Sequence, residues 1–408
     1  MSIAHVVEEG LCTQCGTCAG VCPHDALRMR WTLREGWLPH LDPEGCNECG
    51  ACEEVCPGEG FDFAQDAWWR QRNDGAPFRD FLGPHQGLWF GWSADPDTRY
   101  AGASGGVATT LLQRALADGD VDAVIGVRMN AENPLMAEPA VVRSAADVAA
   151  LRGSKYSMVA VGEALRVVRA SPGRYAFVGL PCHIQGLRLA QRRSRLLRER
   201  VPLAVGIFCG PNLLPAATWV AALRAGVDPA GLVAVSYRGP DWPGGLRLQT
   251  RDGVVGTVPL DDYYDDYVSA WIPARCHVCA DALAEAADIS LGDTWLERYY
   301  GSPGVSDVIA RTPVGRELID RLAPEWLTLT EASPREMVDS QTETYRLKRP
   351  ILRGRLWLRQ LAGRAAPRYP GLDLGASPSD RVAGIRSLVR EAAYRRLGCR
   401  LAARRRAP

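Results

Sequence analysis

The sequence predicts a multidomain protein of α+β, or mixed α/β, class: a small cysteine-rich domain, a larger mixed α/β domain and an Arg-rich helical tail. Three observations predict it. The pattern C-x2-C-x2-C-x3-C-P occurs twice, as Cys12, Cys15, Cys18, Cys22, Pro23 and as Cys46, Cys49, Cys52, Cys56, Pro57. From about Gly87, short apolar strands alternate with stretches of helical period. Residues 351–408 hold fourteen Arg against three acids. At 408 residues the chain exceeds what one core usually serves. The expected units are 1–60, a linker over 61–84, a large domain over 85–340 and a basic, partly helical extension over 341–408.

The first unit reads as a two-cluster ferredoxin-like domain. A C-x2-C-x2-C turn wraps three thiolates around one 4Fe-4S cluster, and the fourth Cys, followed by Pro, ligates the other. The spacing therefore assigns Cys12, Cys15, Cys18 and Cys56 to one cluster, and Cys46, Cys49, Cys52 and Cys22 to the second. Gly16 and Gly50 follow the second Cys of each run, where a bulky side chain would crowd a cluster. A disulfide scaffold suits short secreted chains, and Met1–Gly10 carry neither the basic region nor the apolar run of a secretory signal. Zinc sites use two C-x2-C pairs rather than this longer run. A cytoplasmic location is expected.

Residues 61–84 contain Trp68, Trp69 and mixed charges with no clear period, as in a tether. Leu88–Trp92 reads as a strand. Ala103-Ser104-Gly105-Gly106 then leads into Val107, Leu111, Leu112, Ala115 and Leu116 at helical spacing, ended by Asp118-Gly119-Asp120. Val121–Val127 reads as a strand. Ser144-x-x-Asp147 resembles a capping box before a short helix that Gly153 stops. Tyr175–Leu180 is a buried strand running into Pro181-Cys182. Val201–Leu223 carries no charge and is long enough to span a bilayer. Pro202, Gly206, Gly210, Pro211 and Pro215 instead divide it into a strand at Leu203–Phe208, a turn at Gly210-Pro211-Asn212 and a helix from about Ala216. Short strands are expected within 232–260, at Asp288–Leu291 and at Val308–Ala310. In the tail, Val382, Ile385, Leu388, Val389, Ala392 and Leu397 line one helical face, and Arg381, Arg386, Arg390 and Arg395 the other.

Five further cysteines stand outside the paired runs. Cys182 and Cys209 end strands, and Cys276 and Cys279 form a C-x2-C. Strand-end loops at one sheet edge can bring these four together as a third cluster. Alternatively, Cys182 and Cys209 are buried thiols and Cys276/Cys279 a zinc or dithiol pair. Cys399 has no partner in sequence and is expected to be a free or buried thiol. Ser104-Gly105-Gly106 at a helix start can cradle a phosphate. No dinucleotide Gly-x-Gly-x-x-Gly after a strand and no Walker A motif appears, so a Rossmann-bound NAD is not indicated.

Net charge is +1 overall, but 351–408 carries +11, leaving 1 − 11 = −10 on the first 350 residues. An acidic body with a basic amphipathic tail suggests an acidic partner or an anionic membrane surface for the tail. A nucleic-acid role is disfavoured, because a structural site does not need two adjacent cubanes.

The motif order is more specific than any one motif. After the paired cysteine runs come Ala103-Ser104-Gly105-Gly106-Val107-Ala108-Thr109, Gly153-Ser154-Lys155-Tyr156, Gly179-Leu180-Pro181-Cys182-His183-Ile184-Gln185-Gly186-Leu187 and Phe208-Cys209-Gly210. Cys276-x-x-Cys279-x-Asp281, Ala287-Asp288-Ile289-Ser290-Leu291-Gly292-Asp293-Thr294-Trp295 and Val308-Ile309-Ala310-Arg311-Thr312 follow. This order, over roughly residues 10–330, resembles the coenzyme F-420 hydrogenase/dehydrogenase beta-subunit family with an added N-terminal ferredoxin domain. The resemblance implies a non-covalent FAD beside a third 4Fe-4S cluster ligated by Cys182, Cys209, Cys276 and Cys279. It makes Ser104, Gly105, Gly106, Lys155 and Tyr156 FAD contacts, with Gly292 and Asp293 shaping the same pocket. Asp293 read by itself is equally a turn or cap after its strand. The implied activity is that of an oxidoreductase that carries electrons from a ferredoxin or redox partner subunit through the clusters to FAD. There a hydride is exchanged with a small molecule such as coenzyme F-420. A wiring subunit without its own substrate site is the other reading. No residue stands out as catalytic acid or base; His183 and His277, beside ligand cysteines, read as supporting residues.

Overall fold

In the computed structural model, residues 2–64, 79–238, 242–264, 270–323 and 325–404 are described, without the side chains of 79, 80 and 396–404. Trp68, Trp69 and the Cys399 side chain fall outside these.

An eight-stranded mixed sheet organises the chain. Across it the strands run Leu327–Glu331, Gly87–Ser93, Ser306–Ala310, Ile289–Asp293, Leu203–Ile207, Tyr175–Gly179, Ala123–Met129 and Ala137–Val142. The four from Ile289–Asp293 to Ala123–Met129 are mutually parallel, and the outer strands join antiparallel. The parallel strands are buried almost throughout: Ala123, Val124, Ile125, Ala176, Phe177, Ala204, Val205 and Ile289 have no accessible surface. They are therefore continuous apolar runs rather than alternating ones. A separate three-stranded antiparallel sheet is formed by Leu232–Ser236, Gly245–Thr250 and Val255–Pro259.

The uncharged stretch 201–223 divides as its prolines and glycines require, into the strand Leu203–Ile207 and the helix Ala216–Arg224. Among the described residues no helix is long and apolar enough to cross a membrane. The helix after Ser144 is a single 3-10 segment, Asp147–Leu151. The Ser144 hydroxyl accepts from the Asp147 amide at 3.2 Å and donates to its carboxylate at 2.7 Å. Cys182 lies in the first turn of the helix Pro181–Arg193, not in a loop. Pro181 suits that position because its missing N–H would have no partner there.

The N-terminal unit consists of two cysteine turns and a hairpin, Leu27–Thr32 with Gly36–Leu41. Gly16 and Gly50 take left-handed conformations, φ +79° and +72°, as N-caps of the short helices Thr17–Val21 and Ala51–Glu54. Backbone conformation, rather than cluster crowding alone, accounts for glycine there.

This unit is built into the body. Val6, Leu11, Val55, Phe61 and Phe63 share one apolar cluster with Val159, Val161, Ile184, Leu187 and Val278 and with Leu352, Leu356 and Tyr369. Backbones approach closely where both chains are glycine: a Cβ on Gly20 would lie 2.0 Å from the Gly162 carbonyl oxygen. The Gly162 amide donates to the Cys15 carbonyl at 2.7 Å. The expected tether is embedded at both described ends. Phe61 and Phe63 amides pair with the Arg368 and Pro370 carbonyls at 3.0 and 2.8 Å, and Phe81 and Leu82 are buried.

Beyond the helix Leu352–Leu361, the tail carries a longer helix, Pro378–Arg404. It lies on the body through its polar and small residues: Asp380, Gly384 and Glu391 are buried. The apolar face of Val382, Ile385, Leu388 and Val389 is turned outward. Gly384 meets Gly354 closely, 2.7 Å from an added Cβ to the Gly354 Cα, and Glu391 accepts from Arg355 Nη1 at 2.6 Å. Glycine contact and a buried ion pair thus decide which face docks.

Candidate functional site

Three adjacent parallel strands end at the same sheet edge, and each delivers a site residue there. Tyr175–Gly179 leads to Cys182, Leu203–Ile207 to Cys209, and Ile289–Asp293 ends on Gly292 and Asp293. Open α/β sheets place ligands outside the carboxyl ends of their parallel strands. Gly292 is needed because an added Cβ would fall 2.0 Å from the Phe208 ring.

Several of the cysteines lie close enough to influence one another's ionisation. Cys18 lies near enough to Cys15, Cys12 and Cys56 for each to disfavour its ionisation, after burial as the main cause. Burial pushes Cys12 up to about 12. Cys52 is raised by burial and by Glu53, with a further contribution from Cys22. Cys182 is raised by burial, then by Cys15, Cys279, Cys209 and Cys276. It therefore stands between Cys15 of the first set and the other three inner cysteines, Cys209, Cys276 and Cys279. Among the described side chains all twelve cysteines are free thiols, and Cys49 alone is exposed. No three His, Cys, Asp or Glu among the described residues are arranged to hold one metal ion. Thiolates that surround a four-iron core span a wider space than ligands around a single zinc.

Two buried cations border these sets. Arg275 donates from Nε to the Gly58 carbonyl at 3.0 Å and from Nη2 to the Pro57 carbonyl at 2.9 Å, tying the C-x2-C loop to the second cysteine run. Lys348 is buried near Cys279, Cys209, Cys276 and Asp281. Burial opposes its charge, but these neighbours outweigh it and raise its pKa. His183 is neutral: Nδ1 accepts from the Leu180 amide at 3.0 Å, so Nε2 donates to the Val159 carbonyl, also at 3.0 Å. Burial lowers its pKa to about 4. His277 is likewise held well below its ordinary pKa by burial and then by Arg355, Arg395 and Lys348.

Two of the residues expected at a flavin, Tyr156 and Asp293, meet on one side chain that no sequence motif singles out, Arg238. Its Nη1 donates to the Asp293 carboxylate at 2.8 Å and to the Tyr156 hydroxyl at 2.9 Å, and its Nη2 to the Ala103 carbonyl at 2.7 Å. Asp293 is thus an ion-pair partner and not a cap. Arg238 Nε is buried with no hydrogen-bond partner among the described residues. Ser104 Oγ donates to the Val305 carbonyl at 2.7 Å, and the Gly105 amide to Ser306 Oγ at 3.0 Å. Gly106, φ +76°, is the N-cap of the helix Val107–Ala117. Lys155 turns its ammonium inward to the Leu151, Arg152 and Gly153 carbonyls at 2.7, 2.8 and 3.1 Å. Its three protons are used there, so a phosphate contact would require it to release one of them.

Tyr156 belongs to an aromatic group that sequence reasoning missed. Its ring lies 4.9 Å from Tyr264, edge to face, and 6.3 Å from Tyr263, stacked. Burial raises Tyr264, and Cys209 is near enough to add to that shift. The tyrosines therefore join the Arg238 pocket to the inner cysteines. The doublet Tyr263-Tyr264 was the only signal of it in the sequence; a lone arginine after a strand carries none.

Two cysteine runs beside a sheet edge that gathers Cys182, Cys209 and a buried Arg238–Asp293 pair with adjoining tyrosines suit an iron–sulfur oxidoreductase subunit. The models for coenzyme F420 hydrogenase/dehydrogenase, beta subunit N-term and C terminus, match residues 88–166 and 173–334, together more than half of the chain. A 4Fe-4S dicluster domain matches 11–59. The chain belongs to the F420 hydrogenase/dehydrogenase beta-subunit family and carries an N-terminal ferredoxin domain. It is 27% identical over 349 residues to a subunit of the F(420)H(2) dehydrogenase of Methanosarcina mazei, spanning 81% of this chain and 88% of that one. It is 30% identical over 233 residues to the beta subunit of the coenzyme F420 hydrogenase of Methanosarcina barkeri, 55% of this chain and 75% of that one. It is 26% identical to coenzyme F420-dependent sulfite reductase of Methanocaldococcus jannaschii, spanning 77% of this chain but only 46% of that protein.

Proposed function

We propose that this chain is an iron–sulfur flavoprotein that moves electrons between a redox partner and coenzyme F420 or a related organic substrate. Cys12, Cys15, Cys18 and Cys56 would hold one 4Fe-4S cluster; Cys46, Cys49, Cys52 and Cys22 a second; Cys182, Cys209, Cys276 and Cys279 a third. The Arg238 pocket would hold FAD. The observation that carries the reading is Cys182, near Cys15 on one side and Cys209, Cys276 and Cys279 on the other.

The residues fit these groups. Twelve free thiols, eleven of them at least partly buried, converge without forming a disulfide. The orphaned Arg238 Nε supplies a donor for an anionic or carbonyl group. A flavin supplies the exchange between one- and two-electron chemistry. Around it Arg238 would orient and offer positive charge, and Tyr156, Tyr263 and Tyr264 would exclude water. Exposed Cys49, with Glu48, Glu53 and Glu54 nearby, suits the point where a partner with basic residues approaches.

A second reading, an electron-transfer part of a larger complex, is favoured by the two Methanosarcina relatives, each of which is a subunit of a larger enzyme. The outward apolar face of the tail helix, flanked by Arg386 and Arg390, suits an acidic partner of that kind or a membrane surface.

Anaerobic purification with iron and flavin counts tests the cofactor reading: about twelve iron atoms and one FAD per chain support it. About eight iron atoms and no flavin sink it. F420 reduction by the purified chain alone separates enzyme from wiring subunit.

A further inference from the structure

Residues 341–408 lie beyond the family match, which ends at 334, yet they close over the inner cysteines. Tyr369 donates its hydroxyl to the Val278 carbonyl at 2.8 Å, and Arg349 Nη1 donates to the Ala280 carbonyl at 2.9 Å. Glu391 stands 3.4 Å from His277 Nε2. Three residues of the Cys276–Asp281 loop, His277, Val278 and Ala280, are thus held by a segment that the family models leave unmatched.

Between those clamps lies Lys348, 3% exposed. It belongs to a π-helical segment, Leu347–Ile351, with Pro350 inside it. Proline has no N–H to continue the α pattern, and the wider turn accommodates it. Lys348 and Arg349 are buried together as a result. Arg349, the next residue, is anchored on the Ala280 carbonyl and lies 5.6 Å over the Phe81 ring, which ties the backbone beside Lys348 to the cysteine loop. The charged and ionisable groups near Lys348 are Cys279, Cys209, Cys276 and Asp281, with His277 also within reach of its charge. Asp281 is itself occupied: its carboxylate accepts from Gln185 Nε2 at 2.9 Å and from the Glu285 amide at 3.3 Å.

We propose that Lys348 is a positioning residue for electron transfer: a fixed, buried cation that raises the one-electron reduction potential of the inner cluster. The inference rests on the third-cluster reading above. Four thiolates give a cluster net negative charge, which grows by one when it is reduced. A cation in a dry site favours the more negative state more strongly. The C-terminal extension then makes the inner cluster the preferred resting place for electrons arriving through the ferredoxin unit.

The test uses the full chain, purified anaerobically, with iron counts and a redox titration followed by electron paramagnetic resonance. Lys348→Met and Lys348→Gln remove the charge; Lys348→Arg keeps it. The expected result is a fall of about tenfold in the reduction equilibrium of one cluster, about 59 mV for one electron, in the two neutral variants. The ferredoxin midpoints stay at their wild-type values, and Lys348→Arg restores most of the shift. Loss of about four iron atoms in both neutral variants, but not in Lys348→Arg, also supports a required charge. Unchanged midpoints with iron retained overturn the inference while the third cluster stands, and loss of iron in all three variants overturns it as a packing effect. About eight iron atoms in the wild type defeat the cluster reading itself.

Discussion

The guanidinium of Arg238 and the carboxylate of Asp293 meet at 2.8 Å, with only 1% of the arginine side chain accessible. The pair joins the strand Leu232–Ser236 of the three-stranded sheet, which Arg238 follows, to the end of a central strand of the large sheet. Removing one partner leaves an uncompensated buried charge. Arg238→Ala is expected to cost about 3–5 kcal/mol in unfolding free energy and to release flavin. Adding Asp293→Asn to Arg238→Ala should recover part of the stability but none of the flavin. Denaturant unfolding and flavin absorbance after gel filtration check both.

The docking of the ferredoxin unit depends on bare backbone at Gly20. A methyl there meets the Gly162 carbonyl, which cannot move as a side chain can. Gly20→Ala is expected to destabilise by about 1–3 kcal/mol. Rapid-mixing spectroscopy should show slower electron arrival beyond the first clusters, with the iron count unchanged.

Cluster membership predicts distinct losses. Cys49→Ser alters the most exposed cysteine set, and Cys182→Ser the innermost. Each should lower the iron count by up to about four atoms. Cys182→Ser should uncouple the flavin from electrons supplied to the ferredoxin unit, whereas Cys49→Ser should weaken acceptance from the partner. A Cys182→Ser protein with full iron and normal transfer would remove Cys182 from the path.

Asp307 gives a pH dependence. It is fully buried, accepts from Thr294 Oγ1 at 2.7 Å, Ser340 Oγ at 2.8 Å and Gln341 Nε2 at 2.9 Å, and burial raises its pKa to about 7. A carboxyl raised in the folded state contributes stability that is full below its unfolded value of 3.8 and is lost as pH rises through about 7. Between about pH 4 and 7, wild-type protein should lose stability relative to Asp307→Asn, and above about pH 7 the difference should level off. Melting temperatures of both proteins across that range check the sign; parallel curves would remove Asp307 as the cause.

Much of the candidate site was legible because cysteine spacing and strand-end position are local properties. Cys182, Cys209, Gly292 and Asp293 each follow an apolar strand, and adjacent parallel strands bring their ends together. Arg238 was not legible, because its partners Ala103, Tyr156 and Asp293 come from three distant segments. The contacts of Lys155 were not legible either: it closes the end of a 3-10 turn through the Leu151, Arg152 and Gly153 carbonyls.

By itself, the sequence determined the two cysteine runs, the alternating elements and the family, because these depend on spacing and period along the chain. Tertiary structure alone decided that the ferredoxin unit shares a core with the body, so that Cys15 reaches Cys182. It also decided that the basic tail docks by Asp380, Gly384 and Glu391 and leaves its apolar face outward. Periodicity identifies which residues share a helix face, but which face is buried depends on the glycine contacts and ion-pair partners waiting on the surface it meets.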